Sequence, residues 1–232
     1  MAMYKEWWCH YITKCKNMGK IFLTDEQRIV NTLIMRSNNS KFIGLFDGKI
    51  GVAIAFFHYY RSTRVQVYQR YAYKLLYSAL NSIVRNSDIS FATGLLGIGW
   101  GVEYIIQNGF AEGDSYEICE EIDEQIMYYD PRRISEIGIY DLLEYILIHC
   151  KNGIKFDSQY IDDIEMIASK QKAEQFSVRE QSLLYKADIL KFASAVDISG
   201  GVSHNIPIGI NGGLAGELMK NMLLYENHLH LR

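Results

Sequence analysis

The sequence predicts an all-α protein of about five helical hairpins arranged in an inner and an outer layer. Three observations support this prediction. Short glycine clusters recur along the chain, and each opens a hydrophobic run of helical length. Helices that are apolar all round alternate with helices that have one polar face, which is typical of a buried layer covered by an outer one. The 232 residues include only two prolines, which favours long uninterrupted helices.

The glycine clusters share the form small-x-x-Gly-apolar. They begin at Gly48, Gly94 and Gly213, and a weaker copy begins at Ser135. In chain order the starts lie 46, 41 and 78 residues apart, and the last interval is roughly two periods of 39. A period in this range is typical of stacked helical hairpins or of a closed ring of them. Propeller blades have a similar period, but they need short alternating strands, which the sequence lacks.

Glycine at these places needs a physical reason, because it costs about 0.8–1 kcal/mol relative to alanine inside a helix. Small residues three and four apart lie on one face and let two helix backbones approach closely. Gly51, Gly97 and Gly216 are therefore expected to face neighbouring helices. Glycine at a helix start also leaves the first N–H groups open toward solvent or a ligand. Close packing without any ligand explains each cluster equally well.

The hydrophobic pattern divides the predicted helices into two classes. Glycine-led helices, mostly apolar all round, are expected over 48–60, 95–108, 136–150 and 213–226. Helices with one polar face are expected over 24–37, 64–86, 114–129, 157–172 and 177–196. An N-terminal helix over 1–20 precedes the hairpin repeats of 24–230, and together they make a single domain, 1–232.

Capping signals support several of these helix starts. A capping box places Ser, Thr or a similar residue three positions before Glu or Gln. The pairs with this spacing are Thr24–Gln27, Ser177–Glu180 and the close variant Asp114–Glu117. Asp130-Pro131 should end the helix before it, because a residue that precedes proline disfavours the α conformation.

Composition and charge exclude several classes of function. A net charge of −3 and a pI near 6.1, without a basic stripe, argue against a nucleic-acid-binding protein. No apolar run reaches membrane-spanning length, and the N-terminus lacks the apolar stretch of a signal peptide. The four cysteines form no CxxC pair, which is typical of reduced thiols rather than of a disulfide framework. We therefore expect a cytoplasmic protein.

Three stretches resemble the repeat signature of lanthionine synthetase C-like proteins, the LanC family. They are Gly48–Ala55, Gly94–Tyr104 and Ile210–Gly216, and the resemblance covers about residues 24–230. It implies a double-layered α/α toroid with the glycine motifs at the mouths of the inner helices. Family enzymes have seven hairpins, whereas this chain has room for about five. The resemblance thus implies a shortened ring that either curls tightly and closes or stays incomplete. In an incomplete ring, apolar helices such as 48–60 and 213–226 are partly exposed and pair with another subunit or a partner protein.

The same resemblance implies a zinc site that this sequence lacks. Family cyclases bind the metal with a Cys from one inner loop and with a Cys-His pair that directly precedes Gly-Leu-Ala-Gly. Asn211 and Gly212 occupy the positions of that pair here, and no cysteine lies between 150 and 232. We therefore predict no metal and no other cofactor, unless Cys9-His10 or His149-Cys150 builds a non-standard zinc site.

The expected mouth supplies the candidate ligand-facing and catalytic residues. Those that should line it are Gly48, Gly94, Gly97, Asn211, Gly212 and Gly213. Asp47 and Asp88 precede glycine clusters and could face the opening, although helix capping explains both carboxylates. His204, in a polar loop, is the best single candidate for general acid–base chemistry, with an ordinary surface role as the alternative. Motifs for nucleotide-binding, zincin and hydrolase chemistry are absent.

Two hypotheses of different class follow from the resemblance. The first is a zinc-less protein that binds a peptide substrate or a maturation-enzyme partner in ribosomal-peptide maturation of the lanthipeptide type. The second is an active lanthionine-forming cyclase whose metal site is completed from elsewhere, and the lost Cys-His pair favours the first. A glycan-acting α/α-toroid enzyme would instead use Trp100 and Glu103. A homodimer also stays open, with the tyrosine-rich segment 59–77 as a candidate contact.

Overall fold

The computed structural model describes residues 23–229 apart from 86, 135, 154, 173, 174 and 195, and the regular structure of these residues is entirely helical. The α-helices are α1 (Asp25–Ser37), α2 (Lys49–Thr63), α3 (Gln66–Leu80), α4 (Leu95–Gln107), α5 (Ser115–Met127), α6 (Glu136–His149), α7 (Ser158–Lys172), α8 (Val178–Leu184) and α9 (Leu214–Leu229). Short 3-10 helices lie at Pro131–Arg133, Cys150–Asn152 and Ile189–Lys191. The all-α prediction is confirmed. The helix expected over 1–20, including Cys9 and His10, lies outside the described residues.

The predicted capping signals define several helix starts. At α1 the capping box is complete: the Thr24 hydroxyl accepts from the Gln27 backbone N–H, and the Gln27 side chain accepts from the Thr24 N–H. Asp114 caps α5 by accepting from the backbone N–H of Tyr116, and Ser177 caps α8. These bonds satisfy N–H groups that have no partner within their own helix.

Two predicted helices are longer than the observed ones. The helix expected over 177–196 ends at Leu184, and an irregular segment with one 3-10 turn follows it. The helix expected over 64–86 begins only at Gln66, because Arg64 adopts a left-handed conformation (φ 60°) and ends α2 by donating to the carbonyl of Tyr60. It ends at Leu80.

The inner and outer layers predicted from the hydrophobic pattern are present. In the inner helices α2 and α4, every residue from Lys49 to Tyr59 and from Leu95 to Ile105 is buried. The outer helix α3 buries only Ala72, Leu75 and Ala79 along one face, and it covers α2. The order of neighbouring inner helices is α9, α2, α4 and α6. None of the helices in the described part combines the length and apolar character that a membrane crossing requires.

The tyrosine-rich segment 59–77 mostly packs between the two layers. Tyr68 and Tyr71 contact the ring of Phe56, and the Tyr71 hydroxyl donates to the carbonyl of Ile34. Only Tyr77 presents most of its side chain to solvent, with 66% exposed. The structure therefore favours layer packing over a protein contact for most of this segment.

The loops before α2, α4 and α9 share one conformation. In each, the second residue of the glycine-led start donates its backbone N–H to the carbonyl seven residues earlier. The three bonds join the nitrogens of Lys49, Leu95 and Leu214 to the oxygens of Phe42, Asp88 and Pro207 at 3.1, 2.8 and 2.9 Å. These helix-start N–H groups are thus used by their own loops, and the expectation that they are open to a ligand is wrong.

Backbone hydrogen bonds join the loops into a chain around one end of the helices, called here the mouth. Ser194 donates to the carbonyl of Ile210 at 3.2 Å, Ile210 donates to Phe46 at 2.8 Å, and Phe46 donates to Ala92 at 3.0 Å. Each loop therefore donates to the next one along the ring. This arrangement holds the starts of the inner helices α9, α2 and α4 side by side.

The segment after α8 closes the ring. Lys191 forms an ion pair with Glu144 of α6, and the backbone N–H of Phe91 donates to the carboxylate of Asp141, also on α6. Both ends of the chain of loops are therefore bonded to α6: the loop before α4 through Asp141 and the segment after α8 through Glu144. The helix α2 has no exposed flank from Lys49 to Tyr59, because it lies between α9 and α4 under α3. This contradicts the exposure that an incomplete ring predicts for 48–60. For α9, Leu214–Gly216, Leu218, Met219 and Met222 are likewise buried.

The recurring second glycine of each glycine-led cluster is required by its own loop. A Cβ atom added at Gly51, Gly97 or Gly216 would lie 2.0–2.1 Å from the carbonyl oxygen of the residue six positions earlier. The expectation that these three glycines face neighbouring helices is therefore corrected. Gly99 and Gly101 have that role, because their added Cβ atoms would meet Tyr145 of α6 and Ile50 of α2 at 2.4 and 2.1 Å.

We expect Gly97→Ala to destabilise the protein, although alanine is the better helix former. Its Cβ would overlap the Phe91 carbonyl oxygen, and the backbone of Leu45 lies 2.6 Å from the same point. Overpacking against backbone typically costs about 1–3 kcal/mol, which lowers the thermal midpoint by several degrees. Differential scanning calorimetry measures this shift.

The control is Gly200→Ala, at a glycine whose added Cβ would meet nothing within 4 Å. This variant should unfold at or slightly above the wild-type midpoint. Equal midpoints for Gly97→Ala and Gly200→Ala would contradict the tight approach at Gly97.

Candidate functional site

The glycines predicted to line the mouth are packing residues. Gly48, Gly94, Gly97 and Gly213 are all buried, and each faces loop backbone at less than van der Waals distance from an added Cβ. A ligand at the mouth therefore cannot contact them. Only Asn211 and Gly212 of the predicted set reach the surface.

Asn211 and Gly212 do not fit a zinc site. The Asn211 side-chain oxygen accepts a hydrogen bond from the Ser194 hydroxyl at 2.9 Å. Gly212 has a left-handed φ of 63°, which a residue with a side chain adopts only with strain. Within the described residues, no group of three or more His, Cys, Asp or Glu side chains is placed to hold a metal ion.

The pair His149-Cys150 does not rebuild the metal site. Both ring nitrogens of His149 face carboxylates. Burial raises the pKa of the Cys150 thiol to about 12, and Asp123 contributes to this rise. A thiol must ionise to ligate a metal, so this environment disfavours zinc. The pair Cys9-His10 lies outside the described residues.

Asp88 stabilises the loop before α4. Its carboxylate accepts hydrogen bonds from the hydroxyls of Ser90 and Thr93 at 2.5 and 2.6 Å and from the Ser90 backbone N–H at 3.1 Å. Burial alone would raise the pKa of this carboxyl, but these bonds hold it below its usual range. The helix-capping alternative is wrong for Asp88, because the N-cap residue of α4 is Gly94 and no side chain caps it. The geometry makes Asp88 a residue that orders the loop before α4.

Asp47 lines a cavity, whereas His204 lies in an exposed turn. The cavity has a volume of about 520 Å³ and is bounded by the end of α1 and by the loops before α2 and α9. We call it the mouth groove, and its lining includes Arg36, Lys41, Phe42, Asp47, Pro207 and Ile208. Among the described residues, no hydrogen bond or ion pair joins Asp47, Asp88 and His204, so the three candidates do not form one catalytic site.

The centre of the ring is filled with aromatic side chains. Phe192, from the segment after α8, contacts Phe46, Phe91 and Trp100 with ring centroids 5.2–5.4 Å apart. Trp100 is fully buried, and its indole N–H donates to the hydroxyl of Tyr185 at 3.0 Å. A buried ring offers no surface on which a sugar can stack, which argues against the glycan-acting alternative.

Two carboxylates of α6 accompany this aromatic centre, and sequence reasoning missed both. Glu144 accepts from the Tyr185 hydroxyl and pairs with Lys191. Burial raises the pKa of the Asp141 carboxyl above its ordinary value, with a contribution from Glu144. Both lie in a helix assigned to the buried layer, where an acidic residue must find a partner. The sequence could therefore have indicated, from this requirement alone, that both carboxylates have partners.

A buried ionic cluster joins α4, α5 and α6. His149 lies between two carboxylates, with Nδ1 2.7 Å from Glu103 Oε1 and Nε2 3.0 Å from Asp123 Oδ2. The Tyr145 hydroxyl also donates to Asp123, at 2.6 Å. The His149 side chain is fully buried, and Glu103 is 4% exposed. Burial disfavours the imidazolium, but Asp123 and Glu103 outweigh it and raise the pKa of His149 to about 9.

The free energy of unfolding should fall as the pH rises above about 6.5, because His149 is held protonated in the folded state. The folded pKa of about 9 lies above the ordinary value of 6.5, so the contribution is fully present below pH 6.5 and is lost as the pH rises through about 9. The total loss is on the order of a few kcal/mol. Urea unfolding at about pH 6.5 and 8 measures the part of this loss that precedes extensive thiol ionisation.

His149→Gln should flatten this alkaline dependence, and the exposed-site control His204→Gln should retain it. If the buried substitution prevents folding, Asp123→Asn serves instead, because it removes one of the two carboxylates that hold the proton. Equal slopes in wild type and in the cluster variant would refute a charged His149.

A second buried histidine should produce the opposite dependence. His58 contacts the Tyr104 hydroxyl through Nε2 at 2.9 Å, while its buried Nδ1 has no hydrogen-bond partner among the described residues. Burial, with a smaller contribution from Arg61, lowers the pKa of His58 to about 3. The unfolded chain binds a proton below about pH 6.5, so the free energy of unfolding falls between about pH 6.5 and 3.

We expect His58→Gln to reduce the loss of stability between about pH 6.5 and 4.5 in the same urea measurement, whereas His204→Gln leaves it unchanged. A His58→Gln protein with the full wild-type acid dependence would show that carboxylates alone cause it.

Comparison with known proteins yields one match. The family model of lanthionine synthetase C-like proteins matches residues 40–144, from the loop before α2 into α6. This segment contains two of the three repeated loop–helix units. No curated protein and no solved structure matches the chain significantly. The match and the all-helical architecture of the described residues support a LanC-like assignment with an α/α-toroid-like fold.

Proposed function

We infer that this chain, a LanC-like protein by its match over residues 40–144, binds a peptide or a partner enzyme in ribosomal-peptide maturation without using zinc. The family suggests a lanthipeptide-related role, and the binding role is our proposal. The cytoplasm is the compartment that we propose, since Cys119 and Cys150 are free thiols.

One observation carries the proposal: the loop before α9 offers no metal donor at two positions where a family cyclase needs a Cys-His pair. The amide oxygen of Asn211 is already engaged by Ser194, and Gly212 has no side chain. The zinc of a cyclase would bind the substrate thiol as a thiolate and so make it nucleophilic at neutral pH. A loop without metal donors supports a protein that binds a peptide or a partner enzyme and does not activate a thiol with zinc.

The aromatic centre supports the same proposal. Phe46 and Phe91 from the loops, Trp100 from α4 and Phe192 from the segment after α8 fill the centre of the ring. An enzyme would need room there for a reacting peptide. Polar and charged side chains lie instead at the rim, around the mouth groove. A ligand that contacts this rim needs no entry into the ring.

The full-length protein should contain well under one zinc per chain after equilibration with zinc and dialysis, because the described residues offer no fitting donor set. Elemental analysis measures the zinc. The same protein should leave the thiols of a peptide that contains Cys and dehydroalanine unreacted, and alkylation followed by mass spectrometry counts those thiols.

Stoichiometric zinc, or thioether formation above the rate without protein, would establish the cyclase alternative and end this proposal. In that event, Cys9→Ala and Cys15→Ala show whether the N-terminal thiols supply the missing donors. If zinc is absent but neither peptide nor enzyme partner binds, the maturation role fails while the metal prediction stands.

A further inference from the structure

The mouth groove has the size and composition of a ligand site. Its volume of about 520 Å³ falls within the range of about 300–1,000 Å³ that is usual for small-ligand pockets. Three separate segments form it. A backbone hydrogen bond joins the loops before α9 and α2, and the Arg36 side chain at the end of α1 donates to the carbonyl of Ile206. The apolar part of the lining is Phe42, Pro207 and Ile208. Phe42 is 55% exposed, so part of its ring is accessible to a ligand.

The charged part of the lining is cationic on balance. Arg36 and Lys41 oppose a single carboxylate, Asp47. One guanidinium nitrogen of Arg36 donates to the carbonyl of Ile206 at 2.6 Å, which fixes the head group at the groove and leaves its other N–H donors for a ligand. Within the described part of the chain, neither the Lys41 ammonium nor the Asp47 carboxylate has a hydrogen-bond or ion-pair partner.

We propose that the mouth groove binds an extended peptide segment in which an acidic residue stands beside a large apolar one. The acidic side chain pairs with Arg36 and Lys41, because a guanidinium binds a carboxylate through two parallel hydrogen bonds. The apolar side chain packs on Phe42 and Ile208, and Asp47 accepts a backbone N–H of the peptide. This inference rests on the proposed function and adds the location and the chemistry of its peptide.

The overall charge of the protein makes this local preference informative. A chain with a net charge of −3 repels acidic peptides at long range, so their binding requires a local cationic site. Salt screens long-range repulsion more than a contact ion pair. Affinity for an acidic–apolar peptide should therefore persist at moderate ionic strength.

The experiment uses fluorescence anisotropy with the full-length protein and a labelled octapeptide that alternates leucine and aspartate. The two comparison probes replace every aspartate by asparagine or by lysine. We expect the acidic probe to bind about tenfold or more tightly than either comparison probe. Arg36→Gln combined with Lys41→Gln should remove that difference. Phe42→Ala should weaken the binding of all three probes, because each of them contains leucine.

The matched control is Arg85→Gln combined with Lys186→Gln, which changes the net charge equally at exposed sites outside the lining. It should bind the acidic probe as wild type does. If Arg36→Gln disturbs folding through its bond to Ile206, the single variant Lys41→Glu tests the same charge without touching that bond.

Four results would overturn the proposal: no binding of the acidic probe, equal binding of acidic and basic probes, equal losses in the groove and control variants, or full displacement by millimolar inorganic phosphate. The last result would identify an anion site without peptide selectivity. None of the four bears on zinc content or thioether formation, so failure of the groove is distinguishable from failure of the proposed function.

Discussion

The fold depends on how closely each loop before a glycine-led helix approaches the helix that follows it. The second glycine of each glycine-led cluster lies against the carbonyl of a residue six positions earlier, at a separation that excludes any side chain. This approach lets the loop carbonyls satisfy the first N–H groups of the helix. It also leaves the middle of each loop free to bond with its neighbours. A single steric requirement thereby produces both the helix starts and the joints of the ring.

Closure of the ring explains why the segment after α8 is irregular. A continuous helix to residue 196 would carry Phe192 and Lys191 along a straight axis. In the observed segment, Phe192 instead enters the aromatic centre while Lys191 reaches Glu144 of α6. The helix that the Ser177 capping box starts is therefore stopped by tertiary contacts that no local signal encodes.

The sequence predicts those features whose cause is local. The capping box at Thr24 and the buried character of α4 depend on residues near in the chain, and both are observed. The ionic cluster is different, because His149 meets Glu103 across 46 positions. The sequence analysis considered Glu103 only as a catalytic residue of the glycan-acting alternative. The better signal was that a charged residue inside an apolar helix requires a buried partner.

The same distinction applies to the candidate site. Asp88 bonds to its near neighbours Ser90 and Thr93, so a local structural role was accessible from the sequence, although that role is in the loop and not at the N-cap of α4. The groove around Asp47 was not, because Pro207 joins it from a distant loop. Predicting that contact requires the order of the loops around the mouth, which the repeat period alone does not give.

The hydrogen bonds from Ser194 to Ile210, from Ile210 to Phe46 and from Phe46 to Ala92 all run in one direction. Every joint has a donor side and an acceptor side, so any two units of this kind fit together in the same orientation. A gene encoding such units can lose or duplicate one without redesigning the joints that survive.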